Sequence, residues 1–157
     1  MRVSALAIAF AGALLSLHAE DTTDPPEKLK SQIGKFIDAA NSGDWSTVAA
    51  QSNLPSCYGY TICKTGVEIK ERIRSNSEGV SRTLTKTEIV KNSTVRPLLP
   101  DEARKFVADG DTLVRIRYDE RSKGKTDSNR CLLIFRPVRG DLLLAGAITD
   151  PMPEEKK

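Results

Sequence analysis

The side chains with the clearest capacity for chemistry lie in a basic stretch, residues 115–139. It contains eight Lys or Arg residues and three Asp or Glu residues, which leaves a local charge of +5. Arg115 and Arg117 are two residues apart and would share one face of a strand. Arg130 and Arg136 can lie on neighbouring strands. Such a face can bind an anionic ligand, an acidic partner or a lipid surface, and the plainer interpretation is a solvated outer face of a sheet.

Tyr118 stands in the same stretch, next to Asp119. An Asp–Tyr pair can abstract a proton beside a carbonyl group when burial raises the pKa of the Asp. Neighbouring residues of a strand point to opposite faces of the sheet, so this pair predicts a core Tyr and a surface Asp. We therefore expect no catalytic residue here. The residues that we expect to contact a ligand or partner are Arg115, Arg117, Tyr118 and Arg136.

The sequence contains three cysteines, which can form one disulfide and leave one thiol over. Pairing of Cys57 with Cys63 is favoured because they are close in sequence and because an oxidising compartment is expected. Cys131 lies in an apolar run and is expected to be a small buried hydrophobic residue. A redox pair is disfavoured because the spacing is not Cys-x-x-Cys and no His is available to lower a thiol pKa.

The one His of the sequence is His18, in a segment that we expect to be removed. A mature chain without His cannot use Ser-His-Asp or Cys-His nucleophile sites, or zinc sites built on His. The sequence also has no Gly-rich phosphate loop, no Cys or His metal cluster and no Asp-rich calcium loop. We therefore expect no metal and no cofactor. Asn92-Ser93-Thr94 matches an N-glycosylation acceptor, which matters only in a eukaryotic host.

Residues 1–19 have the pattern of a signal peptide: a positive Arg2, an apolar run from Val3 to Leu17 and a small Ala19. The apolar run is shorter than the about 20 residues that span a bilayer. A retained membrane anchor is the alternative. We expect cleavage near Ala19 and export to the periplasm or the exterior. Without Arg2 and His18 the chain has 23 basic and 21 acidic residues, a net charge of about +2 that does not favour nucleic acid as a partner.

The remaining chain divides into a polar leader (20–26), one domain (27–150) and a disordered tail (151–157). Asp24 to Glu27 predicts a capped helix start, and Asn41-Ser42-Gly43 predicts its end. Asp44 predicts the start of a short second helix, and Thr65-Gly66-Val67-Glu68 predicts the capping box of a third helix that closes near Gly79. The apolar stripe of the first helix is Leu29, Ile33, Phe36, Ile37 and Ala40.

From residue 82 the hydrophobic period changes to two, which predicts strands over 82–91, 112–118, 131–135 and 142–148. Residues 54–64 and 119–129 are expected to be loops, the latter an exposed hairpin loop around Gly124. Residues 101–108 fit either a short helix or a strand. Helices first and strands afterwards is the α+β layout, here with N-terminal helices packed against a curved antiparallel sheet.

The phrase Asn41-Ser42-Gly43-Asp44-Trp45, with the helix before it, is similar to the first helix and turn of the nuclear-transport-factor-two-like superfamily. There a helix commonly ends in a short polar-Gly-Asp-aromatic turn, and the segments 131–136 and 142–148 fit the closing hairpin. The resemblance covers roughly residues 27–150 and implies a cone-like α+β fold and a possible homodimer through the open sheet face. The superfamily includes isomerases, dehydratases, ligand-binding domains and assembly domains, so the resemblance does not decide function.

The expected function is non-catalytic: an exported binding or assembly domain whose curved sheet accepts a small ligand or a protein partner. The first alternative is a His-independent acid–base enzyme, of isomerase or dehydratase type, in the sheet cavity. The second alternative is a binder of anionic surfaces through the basic face of residues 115–139.

Overall fold

The computed structural model describes residues 22–153 of the 157-residue chain. The expected signal peptide at 1–19, its cleavage site near Ala19 and the last four residues of the expected tail lie outside the described residues.

Helix α1 (Glu27–Ser42) is held by the predicted apolar stripe, which is buried along its length. It ends at Gly43, whose φ of 71° is the left-handed conformation that favours glycine at this position. The predicted cap at its start is wrong. Pro26 occupies the N-cap, and the Asp24 carboxylate instead accepts a hydrogen bond from Lys30 Nζ at 2.8 Å.

Helices α2 (Trp45–Gln51) and α3 (Gly66–Ser77) begin at the caps that the sequence predicts. The Asp44 carboxylate accepts from the Thr47 amide at 3.1 Å. Thr65 and Glu68 form a complete capping box at the start of α3. Ile69 and Ile73 form the buried edge of α3, whereas Val67 is 63% exposed.

The strands form one six-stranded curved sheet in the order β2-β1-β6-β5-β4-β3. Their bounds are β1 (Ser52–Tyr58), β2 (Thr61–Cys63), β3 (Ser81–Val90), β4 (Thr112–Ser122), β5 (Lys125–Val138) and β6 (Asp141–Thr149). Neighbours are antiparallel except β1 and β6, which run parallel, so the sheet is mixed rather than purely antiparallel. The α+β class is confirmed.

Both predicted loops are hairpins with two-residue turns. Gly59 and Tyr60 have φ values of 53° and 69° between β1 and β2, and Lys123 and Gly124 have values of 49° and 77° between β4 and β5. Two consecutive positive φ values characterise the tight turns whose twist matches that of the paired strands. Most of the polar segment 119–129 is therefore strand.

The sheet has two unlike faces. The inner face carries α1 and α3. Part of the outer face is covered by the segment 92–107, which contains α4 (Asn92–Val95), a 3₁₀ turn (Arg96–Leu98) and α5 (Asp101–Phe106), so the helical alternative for residues 101–108 is correct. The apolar cluster beneath this segment includes Val95, Leu99, Ala103, Val107, Leu113, Leu132 and Ile134.

Hydrogen bonds of two polar side chains, Asn92 and Asp150, stabilise the segments on the outer face. The Asn92 amide nitrogen, which a glycan would require, donates to the carbonyls of Ala108 and Asp111, both at 2.9 Å. After β6, the Asp150 carboxylate accepts from the Met152 amide at 3.0 Å, and the Met152 side chain packs against the outer apolar cluster. The start of the expected tail is thus attached to the sheet.

Candidate functional site

A cavity of about 240 Å³ lies between α1, α3 and the inner face of the sheet. Its walls include three residues from α1, Phe36, Ile37 and Ala40, and Ile73 from α3. Ile116 on β4 and Ala147 on β6 complete the apolar part. The helical stripe of α1 and the alternation of β4 both direct these side chains inward, so the sequence pattern itself builds the apolar wall.

Besides Arg130, the charged residue that lines the cavity is Arg82. Its guanidinium donates to the Ser77 hydroxyl and to the Asn76 carbonyl, both at 3.0 Å. Its Nε lies 3.2 Å from a carboxylate oxygen of Glu120, directly opposite on β4. The backbone of Arg82 is fixed as well, because the Asn41 side chain donates to its carbonyl and accepts from its amide. The end of α1 therefore holds this part of β3 in place.

Tyr118 lies beside Arg82, whose guanidinium carbon is 5.8 Å from the centre of the Tyr118 ring. Burial raises the pKa of the Tyr118 hydroxyl, and the Arg82 guanidinium acts in the opposite direction without cancelling that effect. Burial also raises the pKa of Tyr58, whose hydroxyl is 2.6 Å from the Ser52 hydroxyl. Burial raises the pKa of the Cys131 thiol to about 12. At neutral pH all three groups keep their protons.

No Asp, Glu or His side chain lines the cavity in the part of the chain that the structure describes. Proton abstraction needs an acceptor whose pKa lies near the working pH. The ionisable acids of the wall, Tyr58, Tyr118 and Cys131, are donors at pH 7. The cavity can therefore enclose an apolar group and donate hydrogen bonds to an oxygen acceptor attached to that group, and the side chains that line it include no strong base.

Residues 22–153 contain no group of His, Cys, Asp and Glu side chains that would hold a metal ion. In the same range, no helix combines the length and apolar character needed to cross a membrane.

No protein-family model matches the sequence, and no curated protein sequence matches it. Solved structures do resemble it. An NTF2-like protein with a cystatin-like fold from Novosphingobium aromaticivorans is 15% identical, with a TM-score of 0.52 over 78% of this chain and 78% of its own. Aln2 from Streptomyces is 13% identical, with a TM-score of 0.50 over 80% of this chain and 92% of its own.

The chain has the nuclear-transport-factor-two-like fold. The orange carotenoid protein of Anabaena, in a structure with canthaxanthin bound, is also similar in fold, with a TM-score of 0.54. It is 10% identical to this chain, and the similarity covers 78% of this chain and 36% of that one. Structural similarity at such low sequence identity shows the fold and leaves the function open.

In this nuclear-transport-factor-two-like fold, one of the four predicted contact residues reaches the cavity. Tyr118 faces inward, as the alternation of β4 requires. Arg115 lies on the outer face, where Asp150 and Glu88 accept from it at 2.6 and 3.2 Å. Arg117 is on the same outer face.

Arg136 is also on the outer face. Its guanidinium donates to Asp111 at 2.7 Å and lies over the Phe106 ring at 4.7 Å from its centre. The four residues are therefore not one site. The residue that sequence reasoning missed is Arg82, which has no local signal because its partners are fixed by cross-strand register and by α1.

The predicted disulfide is not formed, because Cys57 and Cys63 both carry free thiols. In the β1–β2 hairpin, Cys57 is opposite Ile62, and Cys63 is opposite Ser56. Adjacent residues of a strand point to opposite faces, so Cys57 joins the outer cluster and Cys63 the inner one. Cys131 lines the cavity.

Proposed function

We propose that this protein binds a small, largely apolar molecule in the inner cavity. One oxygen acceptor of that molecule would face Arg82 and Tyr118. The observation that carries the proposal is the cavity itself, with an apolar wall from α1, α3 and the sheet and a few fixed donors. Ligand sites commonly combine these two features.

The size of the cavity limits the ligand. Its volume of about 240 Å³ exceeds that of an engineered cavity of about 150 Å³ that accepts benzene. It is below the range of about 300–1,000 Å³ that is common for drug-sized ligands. One ring with a short polar substituent fits these bounds.

The alternative of a His-independent acid–base enzyme is less well supported. Such an enzyme needs a base in contact with the substrate. Tyr58, Tyr118 and Cys131 all have raised pKa values and act as donors. Glu120 is paired with Arg82 and is not among the residues that line the cavity. Binding without proton abstraction is consistent with all of these features, and the canthaxanthin-bound structure is compatible with a ligand-binding role.

The test uses four probes with the same ring and different substituents: toluene, benzyl alcohol, benzaldehyde and benzoate. Binding to the mature protein would be followed by NMR shifts of the amides around the cavity. We expect benzaldehyde and benzoate to bind about fivefold more tightly than toluene, because each accepts a hydrogen bond from the wall. Tyr118→Phe should remove most of that difference. Tyr60→Phe is the matched control, since Tyr60 does not line the cavity and packs against the outer apolar cluster.

A second pair of variants tests the cavity as the location. Ala147→Leu fills part of its wall and should abolish binding of all four probes. Ala108→Leu adds the same side chain at an exposed position and should leave binding unchanged. The proposal fails if no probe shifts the cavity amides, or if the Ala147 variant binds as well as the unaltered protein.

We also propose that the protein is exported, on the support of the signal-peptide pattern at residues 1–19. Expression of the full sequence in a secretion-competent host should give a mature chain that begins near Glu20. Intact-mass measurement of the purified protein would show this directly. A chain that keeps residues 1–19 would contradict export with cleavage.

A further inference from the structure

Three basic residues face one another across three neighbouring strands on the outer face. Lys86 on β3 is opposite Arg117 on β4, and Arg117 is opposite Arg130 on β5. Like charges directly opposite one another in a sheet repel. We call this set, Lys86, Arg117 and Arg130, the basic row. It lies beyond the part of the face that residues 92–107 cover.

Two buried carboxylates offset part of this charge. Glu88 lies 2.6 Å from Lys86 Nζ, 3.2 Å from Arg115 and 3.9 Å from Arg117. Asp150 lies 2.6 Å from Arg115 and 3.5 Å from Arg130. Lys86, Arg115, Arg117 and Arg130 thus all lie close to these two carboxylates. Asp119, in the next register position on the same face, accepts from the Ser128 hydroxyl at 2.7 Å.

Arg117 is the least compensated member of the basic row. Within residues 22–153 its guanidinium has no hydrogen-bond partner at Nε, an atom that is itself buried. Its approach to Glu88 at 3.9 Å is longer than a hydrogen bond. The side chain is 38% exposed, so its terminal nitrogens are accessible to solvent. A buried donor without an acceptor is costly.

We propose that the basic row binds a small free oxyanion of the phosphate class, with Arg117 as the principal donor. The planar fork of a guanidinium matches two oxygens of one phosphate group, and Lys86 adds a mobile positive charge at the same place. The row is narrow and is bordered by Glu88, Asp119 and Asp150. These carboxylates would repel an extended anionic surface, so a single oxyanion fits better than a membrane or a polyanion.

The test is calorimetric titration of the mature protein with inorganic phosphate at constant ionic strength. We expect saturable binding with a dissociation constant of about 1 mM. Arg117→Gln should weaken it about fivefold or more, because a charge-assisted hydrogen bond is lost. Arg121→Gln is the matched control: it removes the same charge from an exposed position on the same face of β4 and should change the constant less than about twofold.

A second variant of Arg117, a stability measurement and a vesicle-binding measurement complete the test. Arg117→Lys keeps the charge and loses the fork, so binding should be intermediate. Thermal unfolding of each variant shows whether it is folded. Absence of saturation up to about 10 mM phosphate, or equal weakening by Arg117→Gln and Arg121→Gln, would overturn the proposal. So would binding to vesicles that contain phosphatidic acid without binding of free phosphate.

Discussion

Each of the three cysteines is held within the fold by the strand that carries it. Cys57 faces the outer apolar cluster, and burial raises its pKa to about 11. Burial also raises the pKa of Cys63, and it raises that of Cys131 to about 12. Since the thiolate is the reactive form, these cysteines are expected to be inert while the protein is folded.

This leads to a prediction about alkylation. Unfolded in denaturant without reductant, the protein should take up three iodoacetamide groups, because no disulfide protects any of its three cysteines. In the folded state at pH 8 the same reaction should be slower by about a hundredfold than for an exposed cysteine with a pKa of about 8.5. Mass spectrometry counts the adducts. A single adduct in denaturant would show that two of the cysteines are paired.

At the scale of the elements, β6 depends on one glycine. Gly146 has a φ of 155° and is paired with Cys57 of β1 in the sheet. A Cβ atom there would lie 2.0 Å from the Cys57 carbonyl oxygen and 2.8 Å from its carbon. The obstructing atoms are backbone, so they cannot rotate away. The parallel β1–β6 pair, which closes one side of the cavity, therefore requires glycine at this position.

Gly146→Ala should lower the free energy of unfolding by about 3 kcal/mol, from overpacking and unfavourable φ together. Urea denaturation of the purified variant measures this. Gly110→Ala is the control, because no atom lies within 4 Å of its Cβ position, and its effect should stay within about 0.5 kcal/mol. Equal stabilities for the two variants would mean that β6 can move away from β1.

Local chemistry explains which elements could be predicted from the sequence. The caps at Asp44 and Thr65, and Gly43 at the end of α1, each act within one helical turn. The sequence therefore predicted helices α1, α2 and α3. It did not predict the distal halves of β4 and β5. Residues 119–129 extend beyond the apolar core and are held by backbone pairing, which leaves no hydrophobic alternation in the sequence.

Within the candidate site, the sequence could predict only those side chains whose orientation follows from the alternation of inward and outward residues along a strand. Tyr118 faces inward because Val114 and Ile116 do. Arg115 is paired with Glu88 and Asp150, among others, and these two lie 27 and 35 residues away, so the sequence could not show that this charge is buried and paired. The same applies to Arg82, whose backbone is bound by a side chain 41 residues earlier. Arg115 and Arg82 meet their partners because the fold brings together residues that are far apart in the sequence.

At the scale of the whole molecule, the outer sheet face gives little support for the homodimer that the resemblance implies. Residues 92–107 and Met152 cover part of it, and the remainder carries the basic row. The large apolar residues exposed in the described chain are Leu54, Val67 and Leu98, which lie on different elements. Stable dimers usually bury a contiguous patch of about 800 Å² on each partner.

We therefore expect a monomer in light scattering of the mature protein at high concentration. Repulsion between two basic rows would oppose face-to-face association most strongly at low salt. Measurements at low and high salt, in buffer free of phosphate, test both points. A dimer mass at both salt concentrations would contradict this prediction and indicate an interface elsewhere on the molecule.

The buried ion network on the outer face links β3, β4 and the segment after β6, so it should make global stability depend on pH. Burial disfavours the charge on Glu88, but hydrogen bonds from Lys86 and Arg115 outweigh burial and lower its pKa. Because the folded pKa is depressed, the stabilisation is present above the ordinary Glu pKa of about 4.3 and is lost as the pH falls through the folded value.

Glu88→Gln removes this titration while keeping the shape of the side chain. At pH 7 the variant should be less stable by about 3 kcal/mol, because Arg115 loses one of its buried counter-charges. As the pH falls through the lowered pKa of folded Glu88, this residue of the unaltered protein becomes neutral and the two stabilities should converge. Urea midpoints at pH 7 and at a pH below that pKa test this. Glu71→Gln, at an exposed position on α3, is the control and should match the unaltered protein throughout. A stability difference between Glu88→Gln and the unaltered protein that is the same at both pH values would contradict the prediction, because the ionisation of Glu88 would then contribute nothing to holding β3 against β4.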